Sequence, residues 1–279
     1  MQAIYAPVWD GYELLDAGHG NKLERWGTTI TIRPDSLAYF KPKHAMDYWL
    51  QQADFIFKTT HGVFGVWKPL TDKPLLWNVS YEELRFILSL KDTKHTGLFP
   101  EQAVNWKTLQ QNLRPGLTFL NLFAYTGASS IVAMQCGAEV IHVDSSKSVL
   151  SWAKENQLIN SEGKMKLVHE DALLFLQREL KRGHRYDVIQ MDPPAWGNSI
   201  NGKKWKLEEC LEGLLKTASG VLTERGMLIL NTYSNSLSYA AIIALLKSIF
   251  PLKKIQAGSL NTKASTGKVL EHGLLFRVY

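Results

Sequence analysis

Two turns in this chain carry residue types that suit a nucleoside and a planar acceptor. The first, Leu-Asn-Leu-Phe-Ala-Tyr-Thr-Gly at 120–127, is an apolar strand running into a glycine turn, and the second is Asp-Pro-Pro-Ala-Trp at 192–196. Asp144 stands between them, roughly where a ribose-binding carboxylate is expected in an open α/β sheet, ~20 residues on. This order predicts a nucleoside-bearing cofactor across the strand tips, an acceptor beside it, and methyl transfer from S-adenosylmethionine.

The first turn supplies most of the candidate cofactor contacts. It lacks the G-x-G-x-x-G pattern of nicotinamide sites, but Gly127 permits a close approach of the backbone to a ligand. An ordinary strand-to-helix turn, which often needs glycine, explains the segment equally well. The candidate cofactor-binding residues here and at the next two strand ends are Asn121, Phe123, Tyr125, Thr126, Gly127, Asp144, Ser145, Asp171 and Ala172.

Asp144 and Asp171 each have a helix-capping alternative. Asp144 can accept hydrogen bonds from both ribose hydroxyls or cap the following helix, and competition for that cap from Ser145 and Ser146 favours the ribose. Asp171 suits an adenine amino group or the N-cap of a helix predicted at 171–182. The sequence does not separate these two roles.

The double-proline turn is the candidate catalytic segment. Pro193 and Pro194 fix an extended backbone and remove two N–H donors, so we expect their carbonyls to stay available to a substrate. Trp196, with Tyr233 as a second candidate, offers a face on which the acceptor can stack. Asp192 would accept from the amino group of the cofactor's methionine or from the substrate. The alternative is a rigid loop with a core tryptophan.

Two flanking segments complete the candidate site. Lys203 and Lys204 precede Trp205, and basic residues beside an aromatic ring suit a phosphate-bearing strand, although a solvated loop explains them too. The segment 96–102 joins the two halves of the chain and suggests either a lid over the cofactor or an interdomain linker. Its candidate cofactor contacts are Phe99 and Gln102.

The composition is that of a globular protein. The chain has 279 residues, of which 45% are hydrophobic and 21% charged, so a sizeable core is expected. No apolar run approaches the ~18 residues of a membrane helix, and no signal peptide is evident, so we expect a cytoplasmic protein. Two cysteines exclude a disulfide framework, and we find no metal constellation. A net charge of +6 is compatible with a nucleic-acid partner.

The pattern of hydrophobic and polar residues changes near residue 95. Residues 1–95 alternate in short stretches split by turns, which predicts a small, mainly β domain with a helix within 81–91. Residues 96–279 alternate strand and helix, which predicts a wound α/β domain. The last two strands have no helix between them and suit an antiparallel hairpin. The predicted strands are 118–123, 139–143, 165–168, 186–191, 226–232, 253–259 and 271–278; the helices are 128–136, 146–159, 171–182, 205–217 and 236–249.

Four segments around these turns resemble the bacterial class I S-adenosylmethionine-dependent methyltransferases related to large-subunit ribosomal RNA methyltransferases, whose members modify cytosine C5 or guanine N7. They are 96–106, 120–129, 142–156 and 192–197. Segments 12–16, 22–27 and 33–35 resemble that group's N-terminal β unit, without the RNA-binding PUA domain that precedes it in some relatives. The resemblance implies a seven-stranded Rossmann-like sheet with an antiparallel last strand, S-adenosylmethionine along 123–127, Asp144 and Asp171, and an acceptor pocket at 192–196.

The cysteines bear on the acceptor atom. Methyl transfer to cytosine C5 needs a thiolate that attacks C6, and relatives with this chemistry carry a cysteine in the turn after the fifth strand. Here that turn is Asn-Thr-Tyr-Ser-Asn at 231–235, while Cys136 and Cys210 fall in predicted helices. We therefore favour a base nitrogen in ribosomal RNA. A methyltransferase acting on a metabolite or protein, and a non-catalytic RNA-binding protein with a degenerate methyltransferase fold, remain alternatives.

Overall fold

A computed structural model describes residues 1–62, 64–160, 165–198, 202, 204–233 and 236–279 of the chain. The first part is built of strands and a short helix: β1 (Gln2–Tyr5), β2 (Tyr12–Gly18), β3 (Asn21–Trp26), β4 (Thr29–Pro34), α1 (Met46–Gln52), β5 (Phe55–His61), β6 (Phe64–Pro69), β7 (Leu76–Tyr81) and β8 (Leu84–Ser89).

Beyond these strands a 3-10 turn, Pro100–Gln102, leads into alternating helices and strands. They are α2 (Ala103–Asn112), β9 (Thr118–Leu122), α3 (Ala128–Gln135), β10 (Glu139–Asp144), α4 (Lys147–Leu158), β11 (Lys166–His169), α5 (Ala172–Arg182), β12 (Tyr186–Met191), β13 (Trp196–Asn198), β14 (Lys204–Lys206), α6 (Leu207–Val221), β15 (Leu222–Thr232), α7 (Tyr239–Ile249), β16 (Ile255–Lys263) and β17 (Val269–Val278).

The chain divides into two compact units. The α/β unit comprises Met1–Ile4, Asn105–Ser259 and Gly273–Tyr279. The β unit comprises Tyr5–Val104 and Leu260–His272. Among the residues described above, no helix is both long and apolar enough to cross a membrane.

The largest sheet runs in the order β11-β10-β9-β12-β15-β17-β16-β1. Strands β9 to β12 and β15 pair in parallel, and β17 pairs antiparallel to β15. The predicted α/β class with an antiparallel closing strand is therefore confirmed. The short strand β1 adds an eighth strand at the edge beside β16, which the sequence analysis did not predict.

The core of the α/β unit forms where apolar faces of helices meet the sheet. Strands β9, β12 and β15 contribute consecutive buried residues, as expected for parallel strands covered on both faces. In α6 the buried residues recur at spacings of three and four, which is the pattern of an amphipathic helix. They are Leu207, Leu211, Leu214, Leu215, Ala218 and Val221.

The β unit holds a five-stranded sheet in the order β2-β3-β4-β5-β6 and a separate β7–β8 hairpin. Glu24 on β3 is fully buried, and its carboxylate accepts hydrogen bonds from Arg33 on the neighbouring strand and from the Tyr12 hydroxyl. The Arg33 guanidinium helps hold the pKa of Glu24 below its usual value against the opposing effect of burial. The paired charge is therefore satisfied inside the unit.

The helix predicted within 81–91 is wrong. That stretch forms the turn and second strand of the β7–β8 hairpin, in which Leu84, Phe86 and Leu88 are buried on one face while Arg85 is exposed. This alternation with a period of two is the signal of a half-buried strand. The turn is made by Glu82 with a positive φ of 51°.

Candidate active site at the carboxyl ends of the parallel strands

A cavity opens in the α/β unit at the carboxyl ends of β9 to β12, and we call it the strand-tip cavity. Open α/β sheets bind their ligands at this edge. The lining residues are Phe123, Val143, Asp144, Ser145, Glu170, Asp171, Ala172, Pro194, Gly197 and Trp205.

The turn after β9 has an unusual backbone. Phe123 and Tyr125 adopt positive φ angles of 55° and 51°, a left-handed conformation that is uncommon for aromatic residues. Each such residue costs on the order of 1–3 kcal/mol and persists only where its surroundings hold it. Here the N–H of Ala124 donates to the Val143 carbonyl at 3.1 Å, and buried Asn156 donates to the Thr126 carbonyl at 2.9 Å. The strained turn is therefore fixed before any ligand arrives.

A buried polar network supports the turn from beneath. The Asn121 amide donates to Ser130 Oγ at 3.0 Å, and that hydroxyl hydrogen-bonds His142 Nδ1 at 2.9 Å. Burial lowers the pKa of His142 to about 3, so the imidazole is neutral at physiological pH. Asn121, a predicted cofactor contact, is buried within β9, and its side chain serves this network.

Gly127 is required at the start of α3 for two reasons. Its φ of 93° is left-handed, which favours glycine. A Cβ atom at this position would lie 3.3 Å from the Cβ of Ala153 on α4 and 3.6 Å from His142 Cε1. The glycine thus lets α3 pack closely against α4, directly behind the turn.

Asp144 ends β10 and faces the strand-tip cavity. Its carboxylate accepts the N–H of Tyr125 through Oδ2 and the N–H of Ser146 through Oδ1, both at 2.9 Å. Burial raises the pKa of Asp144, while these backbone donors act in the opposite direction. Ser146 is the N-cap of α4, because its Oγ accepts from Val149 N at 3.4 Å. The capping alternative for Asp144 is thereby excluded.

Asp171 both caps a helix and lines the cavity. Its Oδ1 accepts from the N–H groups of Leu173 and Leu174 at 3.0 and 3.2 Å, which makes it the N-cap of α5. The capping interpretation is therefore confirmed. Because both capping bonds use Oδ1, the two predicted roles are compatible, and an adenine amino group would be bound through Oδ2. The adjoining Glu170, which sequence reasoning did not select, also lines the cavity.

The double-proline turn is held by a tryptophan that the sequence analysis misassigned. Trp205 is buried, its indole N–H donates to the Pro194 carbonyl at 2.8 Å, and its ring lies 5.3 Å from that of Phe123. Trp205 thus occupies one of the two lone pairs of the Pro194 carbonyl, and the availability of this carbonyl to a substrate stays a prediction. The expectation that Trp205 belongs to an exposed basic loop is wrong, because its ring forms a wall of the cavity.

Trp196 has the opposite environment. It is 80% exposed, which excludes the alternative of a core tryptophan at this position. In the antiparallel β13–β14 hairpin Trp196 pairs with Lys206, whereas Gly197 pairs with Trp205. Successive residues of a strand point to opposite faces, so Trp196 lies on the face away from Gly197 and Trp205, the two hairpin residues that line the cavity. The predicted stacking of Trp196 on an acceptor inside the cavity is not supported.

The ends of β12 and β15 bring two predicted residues together. The Tyr233 hydroxyl lies 3.4 Å from Asp192 Oδ2, a long contact for an O–H donor. Pro193, which follows Asp192, is buried. These residues form a small polar group beside the strand-tip cavity, at neighbouring strand ends.

The remaining predicted residues have different outcomes. Lys204 is exposed on β14, and Lys203 lies outside the described residues. Phe99 precedes the 3-10 turn and Gln102 is its last residue, and their cofactor contacts stay predictions. Within the described parts of the chain, no group of three or more His, Cys, Asp or Glu residues is arranged to hold a metal ion.

These observations fit a nucleoside. The cavity presents a carboxylate at a strand tip for a ribose diol, a second carboxylate at a helix N-terminus, and the aromatic rings of Phe123 and Trp205 as walls. Small-molecule sites commonly combine apolar walls with a few fixed polar groups in this way.

Comparisons with known proteins agree with this geometry. Residues 64–229 match the family model described as S-adenosylmethionine-dependent methyltransferase. A SAM-dependent methyltransferase structure from Agrobacterium tumefaciens is 33% identical and covers 100% of this chain and 93% of its own, with a TM-score of 0.93. The structure of SMU.776 complexed with SAH has the same fold, at 17% identity and a TM-score of 0.78, and covers 97% of this chain and 75% of its own.

A curated relative is named for action on ribosomal RNA. The ribosomal RNA large subunit methyltransferase K/L of Marinobacter nauticus is 32% identical over 189 residues, which are 66% of this chain and 26% of that protein. The chain thus spans about a quarter of the length of this relative.

Proposed function

Because the chain belongs to the S-adenosylmethionine-dependent methyltransferase family, we propose that it methylates a base nitrogen in ribosomal RNA, with its cofactor in the strand-tip cavity. The observation that carries this proposal is the Asp144 carboxylate, which faces the cavity while it holds the turn after β9. A cytoplasmic location, expected from the sequence, agrees with such a substrate.

The residues present fit the cofactor. Asp144 would accept from the ribose hydroxyls, and Asp171 Oδ2 beside Ala172 would accept from the adenine amino group. Phe123 and Trp205 would bound the cavity with their rings. When bound, S-adenosylmethionine supplies a sulfonium methyl group that a nucleophile can displace. The remaining candidate contacts along the turn are Tyr125, Thr126 and Gly127.

The acceptor would be oriented by the group at the ends of β12 and β15. Asp192, together with the Tyr233 hydroxyl and the Pro193 carbonyl, supplies acceptors for the N–H groups of a base edge. A base nitrogen with an available lone pair needs positioning rather than covalent activation, and positioning alone supplies a large rate factor. Asp192, Pro193 and Tyr233 would therefore hold the base while its nitrogen attacks in line.

The cysteines favour nitrogen over cytosine C5. Cys136 is the C-cap residue of α3, whereas the turn after β9 leads into the other end of that helix. Cys210 on α6 packs against the hydrophobic core of the α/β unit. Neither lines the strand-tip cavity as described, so no thiolate is offered to a base there. A chemistry without a covalent intermediate is consistent with this arrangement.

RNA is favoured as the substrate by the curated relatives. The K/L methyltransferases of Marinobacter nauticus, Pseudoalteromonas atlantica and Methylococcus capsulatus are 32–35% identical to this chain over their matched segments. Each relative is named for action on the large subunit's ribosomal RNA.

The test is transfer of isotopically labelled methyl from S-adenosylmethionine to ribosomal RNA from cells that lack this protein. Mass spectrometry of the digested nucleosides should find label on a base nitrogen, with reduced transfer by Asp144→Asn at subsaturating S-adenosylmethionine and none by heat-inactivated protein. Label in 5-methylcytosine would refute the nitrogen assignment. Label confined to protein or small molecules would refute the RNA substrate.

A further inference from the structure

The β13–β14 hairpin has two faces with different chemistry. On one face Trp205 is buried against the strand-tip cavity, opposite Gly197. On the other face Trp196 lies opposite Lys206, and Lys204 follows on the same side because it is two residues from Lys206. Both lysines are exposed, and Trp196 is 80% exposed.

We propose that this outer face is a stacking site for an unpaired RNA nucleotide that flanks the methylated base. The site consists of Trp196, Lys204 and Lys206. This inference depends on the proposed function, in which RNA is the substrate. It places Trp196 against a nucleotide next to the methylated base, outside the cavity.

The chemistry of the face matches a single-stranded nucleic acid. An indole ring stacks on any base and is worth on the order of 1–3 kcal/mol per base in single-stranded complexes. Two adjacent lysines supply positive charge for the backbone phosphates on either side. Lys206 pairs with Glu209 at 2.8 Å, but both side chains are more than half exposed, so little is lost if the lysine turns to a phosphate.

The hairpin is fixed close to Asp192, which we propose orients the methylated base. At its base the Trp205 indole donates to the Pro194 carbonyl, and the N–H of Leu207 donates to the Ala195 carbonyl at 2.9 Å. Trp196 is four positions after Asp192 in the chain, so their backbones lie within ~14 Å even if this segment is fully extended. A nucleotide stacked on Trp196 is therefore a near neighbour of the base held at Asp192.

The kinetic consequence separates this role from a catalytic one. A flanking contact is equally strong in the ground state and the transition state, so its loss raises KM and leaves kcat nearly unchanged. A residue that stacks on the methylated base itself would affect kcat as well.

The experiment compares Trp196→Ala and Trp196→Phe with the wild type. Binding of a fluorescent unstructured 12-nucleotide RNA is followed by anisotropy, S-adenosylmethionine binding by calorimetry, and methyl transfer to unmodified ribosomal RNA by label incorporation. Trp196→Ala should weaken RNA binding and raise KM by roughly tenfold, without a change in cofactor affinity. Trp196→Phe should keep most of the RNA affinity because its ring still stacks. Tyr39→Ala, at a tyrosine of the β unit that is 84% exposed, is the matched control and should behave as the wild type.

The outcomes separate this inference from the proposed function. If the wild type methylates RNA and Trp196→Ala keeps its RNA affinity and KM, the stacking site is refuted while the function stands. If the wild type neither binds nor methylates RNA, both fall. If Trp196→Ala leaves RNA binding intact but abolishes self-association in sedimentation experiments, the face is a protein contact and the inference is overturned.

Discussion

The carboxylate of Asp144 accepts the backbone N–H of Tyr125 at 2.9 Å, across the ends of two neighbouring parallel strands. Tyr125 has a left-handed backbone, with φ at 51°, and this bond helps to hold it there. The same carboxylate faces the strand-tip cavity. One side chain thus fixes the shape of the turn after β9 and faces the cavity in which we propose that the ribose binds.

Asp144→Asn should weaken S-adenosylmethionine binding at least tenfold, because hydrogen bonds to a charged group contribute about 1.5–3 kcal/mol. Asp187→Asn is a matched control. The Asp187 carboxylate accepts the N–H of Thr118 at 2.9 Å, but it does so at the amino ends of β9 and β12, whereas the cavity lies at their carboxyl ends. This variant should lower the free energy of unfolding without changing cofactor affinity. Calorimetric titration of both variants checks this, and an unchanged Kd in Asp144→Asn would remove the ribose assignment.

Trp205→Phe should lower both cofactor affinity and stability. The phenyl ring can still pack against Phe123, but the hydrogen bond to the carbonyl of the exposed Pro194 is lost, which costs about 0.5–1.5 kcal/mol. Urea unfolding together with calorimetry measures the two effects. Trp196→Phe is the control and should unfold as the wild type, since Trp196 is exposed. Equal behaviour of the two variants would contradict the role of Trp205 as a cavity wall.

The contrast between these tryptophans marks where sequence reasoning fails. Which of them is buried depends on the hairpin register that pairs Trp196 with Lys206 and Gly197 with Trp205. A one-residue slip in that register would exchange the two faces, and nothing local in the sequence specifies it. The sequence analysis therefore considered a core position for Trp196, which is exposed. It did not do so for Trp205, which is buried although lysines flank it.

The α/β unit, by contrast, was predictable because its signals are local and repeated. Strand and helix periods alternate from β9 to α7, and the serine cap of α4 is encoded by Ser146 beside Asp144. The left-handed backbones of Phe123 and Tyr125 have no such signal, since aromatic residues rarely adopt them. They follow from the surrounding hydrogen bonds, which only the folded chain brings together.

Gly127→Ala should be more destabilising than Gly183→Ala. Both glycines have positive φ, at 93° and 72°, and a left-handed alanine costs roughly 1–2 kcal/mol. A Cβ at Gly183 meets open space, whereas one at Gly127 lies 3.3 Å from Ala153 Cβ. Denaturant unfolding should therefore show a larger loss for Gly127→Ala, which should also bind the cofactor more weakly. Equal losses, with cofactor affinity retained, would contradict the close packing behind the turn.

His142 should make the α/β unit acid-sensitive. Its folded pKa of about 3 lies below the ordinary value near 6.5, because the buried imidazole is neutral. Its stabilising effect is complete above the unfolded pKa and declines as the pH falls from about 6.5 towards 3, by up to ~1.4 kcal/mol per pH unit. The stability of His142→Asn should fall less steeply over this range, while that of His61→Asn, at an exposed site, should follow the wild type. Parallel stability curves for His142→Asn and the wild type would contradict burial of the neutral ring.

The most direct test of the account is a crystal structure with S-adenosylhomocysteine bound. We predict the ligand in the strand-tip cavity, with its ribose hydroxyls within hydrogen-bonding distance of the Asp144 carboxylate and its adenine edge near Asp171. A ligand bound elsewhere, or a ribose that makes no contact with Asp144, would contradict the central claim.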